Sequence, residues 1–109
     1  LAHASYNKFM PYFVYILTNK SYTLYVGSSK NLPNRLKEHT RKKSKTSFTA
    51  KYNLNRLIYC EEFNTNEEAV NVERKIKGWT RKKKMELIKT KNPNFEDLLV
   101  SETSSEILR

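Results

Sequence analysis

Hydrophobic and polar positions fall into two rhythms along this chain. Residues 12–17 read YFVYIL, apolar at odd and even positions alike. Successive strand side chains point to opposite sides, so this run predicts a strand buried on both faces. The polar stretch TNKSY at 18–22 predicts a turn, and TLYVG at 23–27 a second strand. So short a connection predicts an antiparallel hairpin. If Tyr15 and Tyr25 stand opposite each other or nearly so, both phenols share one face of the sheet. Residues 55–63, NRLIYCEEF, predict a third strand.

Elsewhere the apolar period lengthens to that of a helix. After Gly27 comes SSKNLPNRLKEHTRKK, in which Asn31 or Ser29 can cap a helix and Pro33 suits its first turn. Leu32 and Leu36 would face the core, with Arg35 and His39 on an adjacent stripe. A basic loop carrying Phe48 and Tyr52 follows at 41–53. Then Ala69, Val72, Ile76 and Trp79 recur as a helical core stripe. Asn64 or Thr65 can cap that helix, with Glu67 and Glu68 near its positive end. Gly78 and Thr80 predict a break, then a second helix to about residue 90. KNPNFEDLLV, residues 91–100, predicts a turn at Pro93 and a short closing helix. The expected fold class is α+β, a small three-stranded, mainly antiparallel sheet flanked by helices. The domain is expected to span 11–99. Residues 1–10 read as an extension, with Met10 a candidate native start, and 100–109 as a frayed tail.

Composition narrows the function. Of 109 residues, 38% are hydrophobic and 29% charged, as suits one globular domain with a modest core. Lys and Arg number 21 against 11 Asp and Glu, a formal net charge of +10. So large a charge on a small domain costs self-repulsion and points to a polyanion, nucleic acid first. The plainer alternative is a solvated basic surface with no partner. The single cysteine, Cys60, excludes an intramolecular disulfide, reads as a small core residue and suits a reducing cytoplasm. With one Cys and two His, a closed Cys/His zinc site is nearly excluded. Only Gly27 and Gly78 occur, so both glycine-rich phosphate-loop motifs are absent. The longest apolar run, Met10 to Leu17, is too short to span a membrane.

Four groups of residues could carry chemistry. Tyr15 and Tyr25 sit on matching parity in adjacent strands, as core tyrosines also would. Arg35 offers a planar fork suited to phosphate, and a cation beside His39 favours the neutral, proton-accepting imidazole. The same pair on a solvated helix face would do nothing. Glu73 is either an ion-pair partner of Lys77, four residues on, or a lone metal-binding carboxylate. RKIKGWTRKKK at 74–84 carries seven basic residues and no acid. A helix starting at Thr80 would crowd Arg81, Lys82, Lys83 and Lys84 at its positive end, an arrangement an anion relieves. RKKSK at 41–45 adds Arg41, Lys42, Lys43 and Lys45 as a second basic patch.

Taken together, the chain resembles the GIY-YIG nuclease superfamily. FVY (Phe13 to Tyr15) stands at the first motif and YVG (Tyr25 to Gly27) at the second. NLPNRLKEH looks like the family helix that supplies an arginine and, four residues later, a histidine or tyrosine. VERKIKGW looks like the helix that supplies an acidic metal ligand. The phrases FTAKYN, ERKIKGW and NPNFEDL are similar to those of small single-domain bacterial members described as predicted endonucleases. The resemblance covers roughly residues 11–99. It implies a phosphodiester hydrolase with one divalent ion, Mg²⁺ or Mn²⁺, bound by Glu73. Tyr15 or Tyr25 would activate the attacking water, helped by His39, and Arg35 would stabilise the phosphate. Two positions depart from the pattern. Ser28 and Ser29 stand where many relatives carry a lysine after the glycine. The asparagine expected about a dozen residues after the glutamate would fall near Met85; Asn92, 19 residues on, is either a supporting candidate or the start of the NP turn.

These readings lead to a cytoplasmic, Mg²⁺-dependent endonuclease with no small-molecule cofactor. It would act on DNA rather than RNA, guided by structure or only weakly by sequence. The alternative is a nucleic-acid-binding module with little or no hydrolysis, such as a basic protein of an RNA assembly.

Overall fold

The computed structural model describes residues 12–30 and 52–99. Three strands, β1 (Tyr12–Thr18), β2 (Tyr25–Ser29) and β3 (Arg56–Phe63), precede two helices, α1 (Asn66–Lys77) and α2 (Arg81–Lys91). The sheet order is β2-β1-β3, and both pairings are antiparallel. The expected α+β fold class is therefore present. Its first strand carries an unbroken apolar run from Tyr12 to Leu17 because it is central: Phe13 to Thr18 are all buried.

Each face of the sheet has its own core. Val14, Ile16 and Val26 pack with Ile58, Tyr59, Ala69, Ile76 and Ile88, joining the sheet to both helices. Phe13, Tyr15 and Leu17 face the other way, with Leu54, Leu57 and the partly buried Tyr25, Cys60, Leu98 and Leu99. The register shifts between Ile16 and Leu17, which pair with Tyr59 and Leu57 and leave Ile58 as an extra residue. This bulge puts neighbouring Ile58 and Tyr59 in the same helix-facing cluster, which strict alternation would forbid.

The local signals explain the helix boundaries. Thr65 caps α1, accepting from Glu68 N at 3.2 Å while its hydroxyl donates to Glu68 Oε1 at 3.1 Å. Gly78 closes α1, and Thr80 opens α2 by accepting from Lys83 N at 3.2 Å. The stripe of Ala69, Val72, Ile76 and Trp79 faces the core, as its spacing predicts.

Two expectations change. The second strand is shifted to Tyr25–Ser29, because residues 19–24 form a loop organised by Asn19. Asn19 Oδ1 accepts from Ser21 N and Thr23 N at 2.9 and 3.0 Å, holding the chain off the sheet. The short helix expected after Pro93 is absent among the described residues. Asn92 and Asp97 instead pin this stretch to β3 through turns. Asp97 Oδ1 accepts from Leu57 N at 3.2 Å, and Leu98 N donates to Leu57 O at 2.8 Å. The helix expected between Asn31 and Lys43, its leucines included, the N-terminal extension and the tail lie outside the described residues.

Candidate active site

Strand pairing brings the two motif tyrosines together. Tyr15 pairs with Gly27, and Tyr25 with Leu17, so the tyrosines are diagonal neighbours on one face. Their ring centroids lie 6.4 Å apart at 40°. Tyr15 is 1% exposed, whereas Tyr25 is half-buried. Of the two, Tyr25 is the one that reaches the surface.

Gly27 serves this pair in a way its place in the motif does not reveal. It does not end the strand: β2 runs on through it to Ser29. The need is for space: a Cβ on Gly27 would lie 2.7 Å from both Cζ and Oη of Tyr15. The Tyr15 ring is closed in, so it cannot swing away freely. Gly27→Ala is expected to cost about 1–3 kcal/mol through overpacking. It should also change the Tyr15 and Tyr25 ring signals in an NMR spectrum; an unchanged spectrum and stability would disprove the packing role.

Glu73, on α1, is fastened to the next residue of β2. Ser28 Oγ donates to Glu73 Oε1, and Lys77 Nζ lies 2.6 Å from Oε2, the ion pair its i,i+4 spacing predicts. The Glu73 side chain is 16% exposed and that of Lys77 51%, so the lysine can leave while the carboxylate stays. Burial by itself would raise the Glu73 pKa. Hydrogen bonds from Lys77 and Ser28, with the charges of Lys77 and Arg74, outweigh it and hold the carboxyl below its ordinary 4.5. The ionised form thus contributes stability that is complete above about pH 4.5 and is lost as pH falls through the lower folded-state value. Lys77→Met should move the Glu73 titration upward, followed by carboxyl NMR. An unmoved midpoint would mean that the lysine does not set it.

Ser28 and Glu73 belong to the helix face of the sheet, opposite the tyrosine face. What links them is position: β2 is an edge strand among the described residues. An open groove of about 290 Å³ lies there, lined by Leu24, Tyr25, Val26, Lys77 and Lys84. Tyr25 from one face and Lys77, the partner of Glu73, thus meet in one basic groove at the sheet edge. Lys84 comes from the first turn of α2, which holds Arg81 to Lys84 and no acid. Lys83 lies 4.4 Å over the Trp79 ring. Arg74, Arg81 and Lys82 are exposed. Arg35, His39, Arg41, Lys42, Lys43 and Lys45 lie outside the described residues.

Asn92 has another occupation. It is 5% exposed at the end of α2. Its Nδ2 donates to Ile58 O at 3.0 Å and Glu96 O at 2.8 Å, and Oδ1 accepts from Glu96 N at 3.0 Å. Both amide hydrogens are committed to holding the fold. Cys60 is half-buried, as a core cysteine would be, and burial is the main cause pushing its thiol up to about 12. Such a thiol is a poor nucleophile.

Sequence reasoning missed one part of this site. Ser28 was read only as a missing cation, yet it orients Glu73. Lys84, expected in a basic patch, is turned toward β2 by the bend at Gly78. No periodicity signals the contact of Ser28 with Glu73.

The described residues form an α+β unit with a tyrosine pair, a partly buried glutamate and a basic groove at the sheet edge. Comparison with known proteins gives the family: residues 11–86 match the GIY-YIG catalytic domain, and the chain belongs to the GIY-YIG family. UPF0213 proteins of Staphylococcus aureus strains Mu3 and Mu50 are each 38% identical over 82 residues, covering 72% of this chain and 94% of theirs. The solution NMR structure of the UPF0213 protein BH0048 from Bacillus halodurans has 28% identity and a TM-score of 0.52, covering 84% of this chain and 98% of that one. Among the described residues no helix is long and apolar enough to cross a membrane.

Proposed function

We propose that this chain is a divalent-metal-dependent endonuclease that hydrolyses phosphodiester bonds in DNA, guided by structure or weakly by sequence. The observation that carries this reading is the fastening of Glu73 to Ser28 beside a groove shared by Tyr25, Lys77 and Lys84.

Among the described residues no three His, Cys, Asp or Glu groups converge, and Glu73 is the carboxylate ligand of this reading. Magnesium accepts such a site when water and substrate phosphate complete the shell. The donor set fits: Oε1 is held by Ser28, and Oε2 is covered only by a half-exposed lysine. When bound, the ion would stabilise charge on the leaving oxygen.

The remaining steps belong to the chain's own groups. Lys77 and Lys84 draw the backbone phosphates into the groove. Tyr25, at the groove wall, positions or deprotonates the attacking water, and buried Tyr15 fixes the Tyr25 ring. A free phenol titrates near pH 10, so this base needs a neighbouring cation or acceptor. Arg35 and His39 are proposed for those roles, with Arg35 also stabilising the phosphate in the transition state. The basic residues from Arg74 to Lys84 and from Arg41 to Lys45 would hold the flanking strand.

The second reading, a binding module that cuts poorly, is favoured by one observation. Both Glu73 oxygens already have partners within the chain. Incubation with labelled duplex, branched and single-stranded DNA and RNA, with and without Mg²⁺ or Mn²⁺, separates the two. Metal-dependent DNA cleavage supports the hydrolase. Tight, salt-dependent binding without any cutting supports the module.

A further inference from the structure

Among the described residues three non-glycine residues have left-handed backbones: Tyr22 at φ 60°, Asn53 at 54° and Phe95 at 51°. The loops that carry them meet at one end of the sheet. Asn19 Nδ2 donates to Tyr52 O at 2.6 Å, joining the β1–β2 loop to the turn at 52–53. The Tyr22 and Phe95 rings meet edge to face, 6.1 Å apart at 73°. This backbone region is disfavoured for bulky side chains, so two aromatic residues adopting it at one contact call for a reason.

The two rings are buried unequally. Phe95 is half-buried and packs against the helix-side core. Tyr22 rests on it and is 42% exposed, one of two large hydrophobic residues so exposed among those described. The loop beneath is already organised: Tyr22 N donates to Asn19 O at 3.0 Å, alongside the two bonds to Asn19 Oδ1. An aromatic surface held this way loses little freedom when something stacks on it. Two residues further on, Leu24 begins the wall of the groove that holds Lys77 and Lys84. At strand rise, Tyr22 stands within about 20 Å of Ser28.

We propose that Tyr22, braced by Phe95, is a stacking platform for an unpaired nucleobase of a DNA strand whose backbone follows the Lys77–Lys84 groove. Exposed aromatic rings beside cations are what unpaired strands recognise: bases stack on the ring and phosphates meet the lysines. A base pair inside a duplex has both faces covered by its neighbours and gains nothing from Tyr22. The substrate class that follows is DNA with an unpaired stretch close to the cleaved bond. The inference rests on the reading that the groove holds DNA, and its test uses binding alone.

The test uses the full chain carrying Glu73→Gln, in buffer with chelator, so that nothing is cut. Binding is measured by fluorescence anisotropy to a single-stranded oligonucleotide and to a blunt duplex of the same sequence. Tyr22→Ala should weaken single-strand binding about tenfold and leave duplex binding within twofold. Tyr22→Trp should keep the affinity, and Tyr22→Leu, apolar without a ring, should behave like the alanine variant. Circular dichroism checks that each variant is folded, and a 2-aminopurine base in the single strand should be quenched by wild type and not by Tyr22→Ala. Equal losses on both DNAs, or no loss on either, would overturn the platform. A wild-type chain that cuts no DNA yet shows this selectivity would sink the hydrolase and support the platform.

Discussion

Glu73→Gln is expected to lower metal-dependent DNA cleavage by about a thousandfold while leaving the fold in place. The substitution keeps the shape of the side chain and an oxygen for the Ser28 hydroxyl. It removes the negative charge that would bind a divalent ion. The Lys77 ion pair is lost as well, but that lysine is half-exposed and water can solvate it. Cleavage of labelled branched, duplex and single-stranded DNA in Mg²⁺ gives the rate, and thermal unfolding gives the stability. Wild-type cleavage by the Gln variant would remove Glu73 from the site altogether. Arg35→Ala is the companion measurement: it should slow cleavage without moving the Glu73 titration.

Asn92→Ala is expected to cost about 3 kcal/mol of stability, the largest effect on folding foreseen for a single polar side chain here. Three hydrogen bonds disappear together: those to Ile58 O and Glu96 O, and the one from Glu96 N. The residue is buried, so water cannot readily replace them. Asn92→Asp should be worse still, because an oxygen would then face two carbonyl oxygens. Urea unfolding gives the result as a shift in midpoint at unchanged slope. A loss below about 1 kcal/mol would contradict the clamp role. Cleavage per folded molecule separates structure from chemistry. If Asn92 acts only through the fold, the folded fraction of the variant cuts at the wild-type rate.

The two experiments divide residues that the sequence placed side by side as site candidates. Glu73 and Asn92 are both polar and both on or near a helix; Glu73 stands at a family position, whereas Asn92 lies 19 residues on, off the expected spacing. They differ in where their polar atoms point. The Glu73 carboxylate is held by a strand hydroxyl and a half-exposed lysine at a groove edge. Asn92 spends its amide on backbone carbonyls beneath the surface. The second arrangement leaves no amide hydrogen for a substrate, whereas the first leaves a carboxylate at the groove edge.

Much of the frame was legible because it depends on local rules. The run at 12–17 read as a doubly buried strand because apolar side chains at every position need cover on both faces. Asn64 or Thr65 read as a cap and Gly78 with Thr80 as a break; Thr65 and Thr80 fill the cap positions because a hydroxyl there satisfies an orphan helix N–H. The Glu73–Lys77 pair followed from helical spacing. The short helix after Pro93 was misread because the apolar residues there are held by β3 rather than by a helix of their own. Asp97 and Leu98 bond the Leu57 backbone, and that partner lies 40 residues earlier for Asp97.

By itself, then, the sequence determined the order of strands and helices, the antiparallel hairpin, the caps, the basic charge and the family motifs. Each depends on neighbours a few residues apart or on composition. Only the tertiary structure decided which groups meet. It set Tyr15 against Gly27, where the ring takes the space of a side chain. It put Ser28 on Glu73 across 45 residues of chain, and Tyr22 on Phe95. Those contacts arise from sheet register, the bulge at Ile58 and the bend at Gly78. The packing of the two cores fixes all three, and no short stretch of sequence encodes them.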